Sequence, residues 1–239
     1  MLSIHEPIKK SAKLPTMMRC LPLPEFDARD FKLVREIFRL VERHPLGQAW
    51  LETEEHDFAP AFVRSGWRGN LLLVFAELID FDVYNAATAL NQPAWELGDT
   101  FEIFLQPVGH SAYVEFQVTP DNHRVQLRFA NVGAAEEIRK SGSMESAFIP
   151  GEAFRSRTWI QPGAKCWYVY AELNAAELRD HAGSLQGRQW RVSFSRYDYT
   201  RNRNQPVISS TSPHAEPDFH RQEEWSILCF ETLTPPSDR

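Results

Sequence analysis

The chain has 239 residues, 43% hydrophobic and 24% charged, and its 26 basic against 32 acidic side chains give a formal net charge of -6. This length and composition fit one globular domain with appended ends and exclude a disordered chain, and no apolar run approaches the ~18 residues a spanning helix needs. The acidic balance would repel phosphate backbones, so nucleic acid is not expected as a partner. Seven Trp, sixteen Phe and six Tyr are a surplus of rings for a core of this size, and some of them are expected to face a ligand.

Residues 1–44 read as a lead-in. Pro7, Pro15, Pro22 and Pro24 make its first part irregular, or a strand laid against another element. Over 28–43, Phe31, Val34, Ile37, Phe38 and Val41 fall at helical spacing, with Asp27 as the cap and His44-Pro45 as the stop. A short strand over 32–38 uses the same apolar positions. The N-terminal twenty residues hold no apolar core of about 7 to 15 residues and no cleavage site, so a cytoplasmic protein is expected. Cys20, Cys166 and Cys229 show no metal spacing and read as small apolar residues.

From residue 45 to 233 the pattern is short strands and turns. A turn is expected at 66–69, and the continuous apolar run 71–78 suits a central strand. Residues 100–106 alternate, with Phe101, Ile103 and Leu105 opposite Glu102, Phe104 and Gln106. Residues 113–118 alternate likewise, and 107–110 joins the two as a hairpin. Further strands are expected at 125–129, 144–149, 166–173, 190–197 and 225–231, with a helical piece at 175–181. Stretches 132–145 and 200–224 stay irregular, and the second, carrying His214, Phe219 and His220, reads as a binding loop. The fold expected is all-β, an antiparallel β-sandwich behind a lead-in and followed by a tail at 234–239.

No nucleophile elbow, zinc-protease helix or phosphate loop is present. Asp80-Phe81-Asp82 opens like a calcium loop, but Tyr84 stands where a ligand is needed; a turn after a strand is the ordinary reading, and a calcium held by Asp80, Asp82 and Asn85 the alternative. The histidines are scattered, and loop histidines are ordinarily solvated. Trp95, in the segment 91–99, sits outside any alternating pattern, so its ring either stacks on a ligand or plugs the end of the sandwich. If like faces pair across the hairpin, Glu102, Phe104 and Gln106 lie beside Tyr113, Glu115 and Gln117. That face either holds hydroxyl groups between acceptors and rings or is a solvated outer face. Arg196 leaves its strand near the late loop, as a ligand contact or in a salt bridge.

The order N-Q-P-x-W-E-x-G-D at 91–99, F-E-I-F-L at 101–105 and Y-V-E-F-Q-V-T-P-D-N at 113–122 resembles the family 9 carbohydrate-binding modules. The later blocks W-Y-V-Y-A-E-L at 167–173 and W-R-V-S-F-S-R-Y-D at 190–198 extend the likeness over roughly residues 45–231. The resemblance implies a β-sandwich in which two rings clamp a terminal sugar. Trp95 matches the first ring, Glu102 the carboxylate of the following strand, and Phe219 is the nearest candidate for the second ring. Gln117 replaces an expected basic residue, which turns a charge-assisted contact into a neutral one. The resemblance also implies that a structural calcium can be carried. The expected function is a non-catalytic carbohydrate-binding domain using Trp95, Glu102, Glu115, Gln117, Phe219 and Arg196, with no cofactor beyond such a calcium and no membrane partner. The alternatives are an interaction module that has lost sugar binding and a glycosidase using Glu102 and Glu115.

Overall fold

The computed structural model describes residues 15–178 and 184–232. Among them run β1 (Met17–Pro22), α1 (Phe31–Phe38), β2 (His44–Leu46), β3 (Ala61–Arg68), β4 (Leu71–Ile79), β5 (Thr100–Pro107) and β6 (Tyr113–Val118). They are followed by β7 (Arg124–Phe129), α2 (Val132–Ser141), β8 (Phe154–Gln161), β9 (Cys166–Asn174), β10 (Gln189–Asp198), β11 (Val207–Ser210) and β12 (Ser226–Phe230). Among the described residues no helix is long and apolar enough to cross a membrane.

The strands form a curled mixed sheet in the order β7-β6-β5-β10-β12-β1-β3-β4-β9-β8, with β11 beside β10 and β2 beside β3. Its two halves meet through a shared apolar layer. Phe101, Ile103 and Leu105 of β5 join Leu72, Val74, Ala76 and Leu78 of β4 in one buried cluster. The sandwich is therefore as expected, but not purely antiparallel. Met17–Cys20 of β1 pair with β12 in parallel, and Leu21 and Pro22 pair with β3, also in parallel, so β1 carries the chain from one half to the other. Alternation reports which face a side chain takes, never which way the neighbouring strand runs.

The outer faces are covered as well. Leu73 and Phe75 of β4 and Tyr168 and Tyr170 of β9 pack under Val34 and Phe38 of α1. Burial on both faces is why 71–79 reads as one apolar run. The cap of α1 is Asp30, whose carboxylate accepts from the backbone N–H of Lys32 and Leu33; Asp27 instead pairs with Arg29.

Other sequence expectations are corrected. Residues 132–141 form α2, capped by Asn131 and ended by Gly142 at φ 73°; its polar run hides the helix because Ala135 is its one buried residue. Residues 144–149 hold a short 3-10 turn, Glu145–Ala147, where a strand was expected. Gly66 lies inside β3, and the turn falls at Gly69 and Asn70, between paired Arg68 and Leu71. Strands β8 and β11 had no sequence signal strong enough to place them. A 3-10 turn covers Ala175–Leu178, while His181, residues 1–14 and the tail at 234–239 lie outside the described residues.

The capping assignment separates two neighbouring aspartates. Asp30→Ala should lower stability by about 1 kcal/mol in urea unfolding, and Asp27→Ala should leave the midpoint unchanged; the reverse order would contradict the cap.

Candidate functional site

The face of β5 and β6 turned away from the shared layer is the floor of the site. The register pairs Glu102 with Gln117 and Phe104 with Glu115, so like faces do meet across the hairpin. This face is not solvated: Glu102 is 2% exposed, Glu115 4% and Gln117 1%. Tyr197 of β10 lies on the same side, since β10 pairs Ser195 with Glu102 and Tyr197 with Thr100.

A cavity of about 480 Å³ opens over this floor, within the ~300–1,000 Å³ usual for small-molecule sites. Trp95, Phe104, Tyr197 and Phe219 supply its rings, and Glu96, Glu102, Glu115, Asp218, Arg139 and His220 its polar groups. Of the residues expected from the sequence, Trp95, Glu102, Glu115 and Phe219 line it together. Gln117 lies beneath, donating from Nε2 to Glu102 Oε1 at 2.9 Å and to Glu115 Oε1 at 2.5 Å. Sequence reasoning missed Arg139 and Met144, brought in by α2 and the segment after it, and also Tyr197.

Trp95 is held by its loop's backbone. It sits in a 3-10 turn, Ala94–Glu96, and its carbonyl accepts from the Tyr199 hydroxyl at 2.7 Å. Asn85 Nδ2 donates to the carbonyls of Ala94 and Asp99, and the Asp99 carboxylate accepts from the backbone N–H of Tyr84 and Tyr199. Gly98, at φ +143°, lets the chain pass Tyr84: a Cβ there would lie 2.4 Å from the Tyr84 carbonyl oxygen. The W-E-x-G-D block is thus a brace that presents one ring.

The opposite wall is braced by Glu224. Its carboxylate accepts from Arg221 Nε and Nη2, both at 2.8 Å, from the Ala215 N–H at 3.2 Å, and lies 3.2 Å from His214 Nδ1. Trp225 Nε1 donates to the Phe219 carbonyl at 2.7 Å. Phe219 is consequently a buried wall, 4% exposed, packed against Trp50, Phe104 and Tyr197. The late-loop histidines are not solvated either: His214 is fully buried, and His220 lies against Tyr113, with 2.8 Å between Nδ1 and the hydroxyl oxygen.

Arg196 does not reach the cavity. It pairs with Phe101 in register and so points to the shared layer, where it bonds the Ile79 carbonyl, Asp80 at 3.0 Å and Asp198 at 3.1 Å. Nor does the structure gather the calcium candidates. Asp82 turns outward to Arg201, and both ends of the Asn85 amide bond the loop backbone. Asp80 instead clusters with Asp99 and Asp198, oxygens within 4.8 Å of one another. The Arg196 guanidinium supplies one positive charge there, and the expected set of Asp80, Asp82 and Asn85 does not come together.

The fold pushes two groups of carboxyls above their usual range. Burial, then repulsion from Glu115, pushes Glu102 well above the usual range, and burial pushes Glu115 up to about 7. Burial, then repulsion from Asp80, raises Asp99 to about 9, and burial raises Asp198 to about 7. Burial, then the Arg139 charge, lowers His220 to about 4.

A second hollow of about 520 Å³ lies between α2 and β6–β7. Among the described residues it is walled mainly by apolar groups such as Ile138, Phe148 and Leu178. It lacks the concentration of hydrogen-bonding groups found over Glu102.

No protein-family model matches the chain, and no curated protein matches it significantly. Solved structures do share its fold. A candidate carbohydrate-binding protein from Bacteroides uniformis superposes with a TM-score of 0.68 at 15% identity, over 91% of this chain and 100% of its own. A family 9 carbohydrate-binding module from Caldicellulosiruptor kristjanssonii in complex with cellotriose gives 0.65 at 13% identity, over 93% and 97%. A family 9 module from the same organism, in complex with glucose, gives 0.64 at 12%, over 94% and 100%. The fold is therefore that of the family 9 modules.

Two stability outcomes follow. Gly98→Ala should cost about 3 kcal/mol or more, because backbone must move to admit the methyl group. Unfolded carboxyls titrate near ~4, whereas Glu115 and Asp198 keep protons to about 7 and Asp99 to about 9. The folded state thus binds more protons over that window, and stability falls as pH rises through it. Thermal melts should drop between about pH 6.5 and 9, above the range in which the lowered His220 contributes the opposite slope, and less steeply in Glu115→Gln; a Tm rising there would contradict the buried protons.

Proposed function

We propose that the cavity over β5 and β6 binds a mono- or short oligosaccharide and performs no chemistry on it. The observation that carries this reading is a cleft with rings on its walls and buried acceptors on its floor. Trp95, Tyr197 and Phe219 offer faces for the C–H side of a pyranose, and Glu102 and Glu115 accept from its hydroxyls. The shared fold with modules whose structures hold cellotriose or glucose supports the same reading.

The arrangement of the carboxyls supports binding rather than hydrolysis. Glycosidases set two carboxyls to flank the scissile bond. Glu102 and Glu115 stand side by side on one floor, tied to the same amide nitrogen.

Titration calorimetry against neutral, acidic and amino sugars and their short oligomers should give Kd between about 10 µM and 1 mM, on the order of -7 to -4 kcal/mol. Trp95→Ala should weaken binding at least about tenfold, roughly 1.4 kcal/mol. Binding that survives the substitution would place the ligand elsewhere. Silence across the whole panel would favour a scaffold serving protein contacts.

A further inference from the structure

Among the described residues no Lys or Arg forms an ion pair with the acid pair on the cleft floor; Arg139 acts on Glu115 only through its field, and the histidine beside it, His220, is itself held neutral by burial. Glu102 bonds the Gln117 amide, and Glu115 bonds that amide and lies 3.7 Å from His220 Nε2. The guanidinium of the lining, Arg139, has its ion-pair contact with Asp218, at 3.8 Å. Around the cavity four carboxyls, Glu96, Glu102, Glu115 and Asp218, stand against this single Arg. The Gln117 oxygen Oε1 is itself buried and without a partner, so the floor holds an excess of acceptors.

From this imbalance, and resting on the sugar-binding reading above, we infer that the preferred ligand is an amino sugar, its ammonium seated against Glu102 and Glu115 and its ring on Trp95. Buried carboxylates are ordinarily compensated by a cation or kept neutral by a proton. A hydroxyl offers one hydrogen bond and no charge. An ammonium offers three N–H donors and the missing positive charge, and Trp95, Phe104, Tyr197 and Phe219 are ring faces that favour a cation close by. Gln117 fits the same picture, because a neutral amide adds no positive charge to the floor where a basic residue would. A divalent metal is the less apt cation: among the described residues the cluster of three carboxylates close enough for one is Asp80, Asp99 and Asp198, away from this floor.

Arrival of the ammonium displaces the proton that the pair holds in the free protein. The proton leaves a Glu carboxyl for solvent, the carboxylate gains the ammonium as its partner, and no covalent bond other than that O–H changes.

The test pairs glucosamine, galactosamine and mannosamine with their neutral hexoses and N-acetyl forms in calorimetry near pH 6.5. Two buffers of different ionisation heat are used, with calcium chloride as a separate titrant. Each amine should bind at least tenfold tighter than its hexose, the N-acetyl forms should show no gain, and the amines alone should release protons. Glu115→Gln should shrink the amine-to-hexose ratio at least fivefold. Equal affinities with hexose binding still lost in Trp95→Ala would overturn the amine inference and leave the sugar site standing. Failure of every sugar would overturn both, and calcium binding abolished by Glu115→Gln would replace the ammonium with a metal.

Discussion

Both faces of β5 and β6 are withheld from water, and the rest of the structure answers to that constraint. One face supplies Phe101, Ile103, Leu105 and Phe116 to the layer shared by the two halves of the sheet. Because side chains alternate, this places Glu102, Glu115 and Gln117 together on the other face, and a one-residue slip would drive carboxyls into the apolar layer. Polar groups there cannot be left to solvent, so they bond one another: Gln117 Nε2 serves two carboxyls, and the remaining charge is reduced by bound protons.

Covering that face demands walls, and the walls come from segments with little regular structure. Each is stiffened by a hydrogen-bonding centre built on a buried acid: Asp99, joined by the partly exposed Asn85, under Trp95, and Glu224 under Phe219. Buried polar groups of this kind stabilise when fully partnered and are costly otherwise. They let an irregular loop hold a ring in one place, which a ligand-stacking surface needs. The unfavourable terms, such as the close passage at Gly98 and the raised carboxyls, gather around the same cavity.

The two sides of the cavity differ in how much of them could be read from the chain. Trp95 was conspicuous because it breaks alternation beside Gly98 and Asp99, and Glu102 because it alternates with Phe101 and Ile103. Phe219 was found only by its distance from the last strand. Arg139 and Met144 left no trace, because α2 buries a single alanine fully and shows no apolar stripe. Of the two readings of Arg196 the salt bridge holds: its parity placed it with Val192 and Phe194, but which acid it meets depends on Asp80, which is 116 residues away. The histidines at 214 and 220 misled, since what buries them is Glu224 and Tyr113.

The amino-acid sequence by itself determined the strands, the faces their side chains take, and the ring-bearing turn before β5. These depend on residue type and on a period of two, both of which are local. Only the tertiary structure decided that β1 runs parallel between β12 and β3, that α2 and the late loop roof the outer face, and that the Glu102–Glu115 pair is closed off without an ion-paired Arg or Lys among the described residues. Strand direction, burial of a polar residue and the charge balance of a cavity are set by groups brought together from far apart in the chain. No window of sequence contains them.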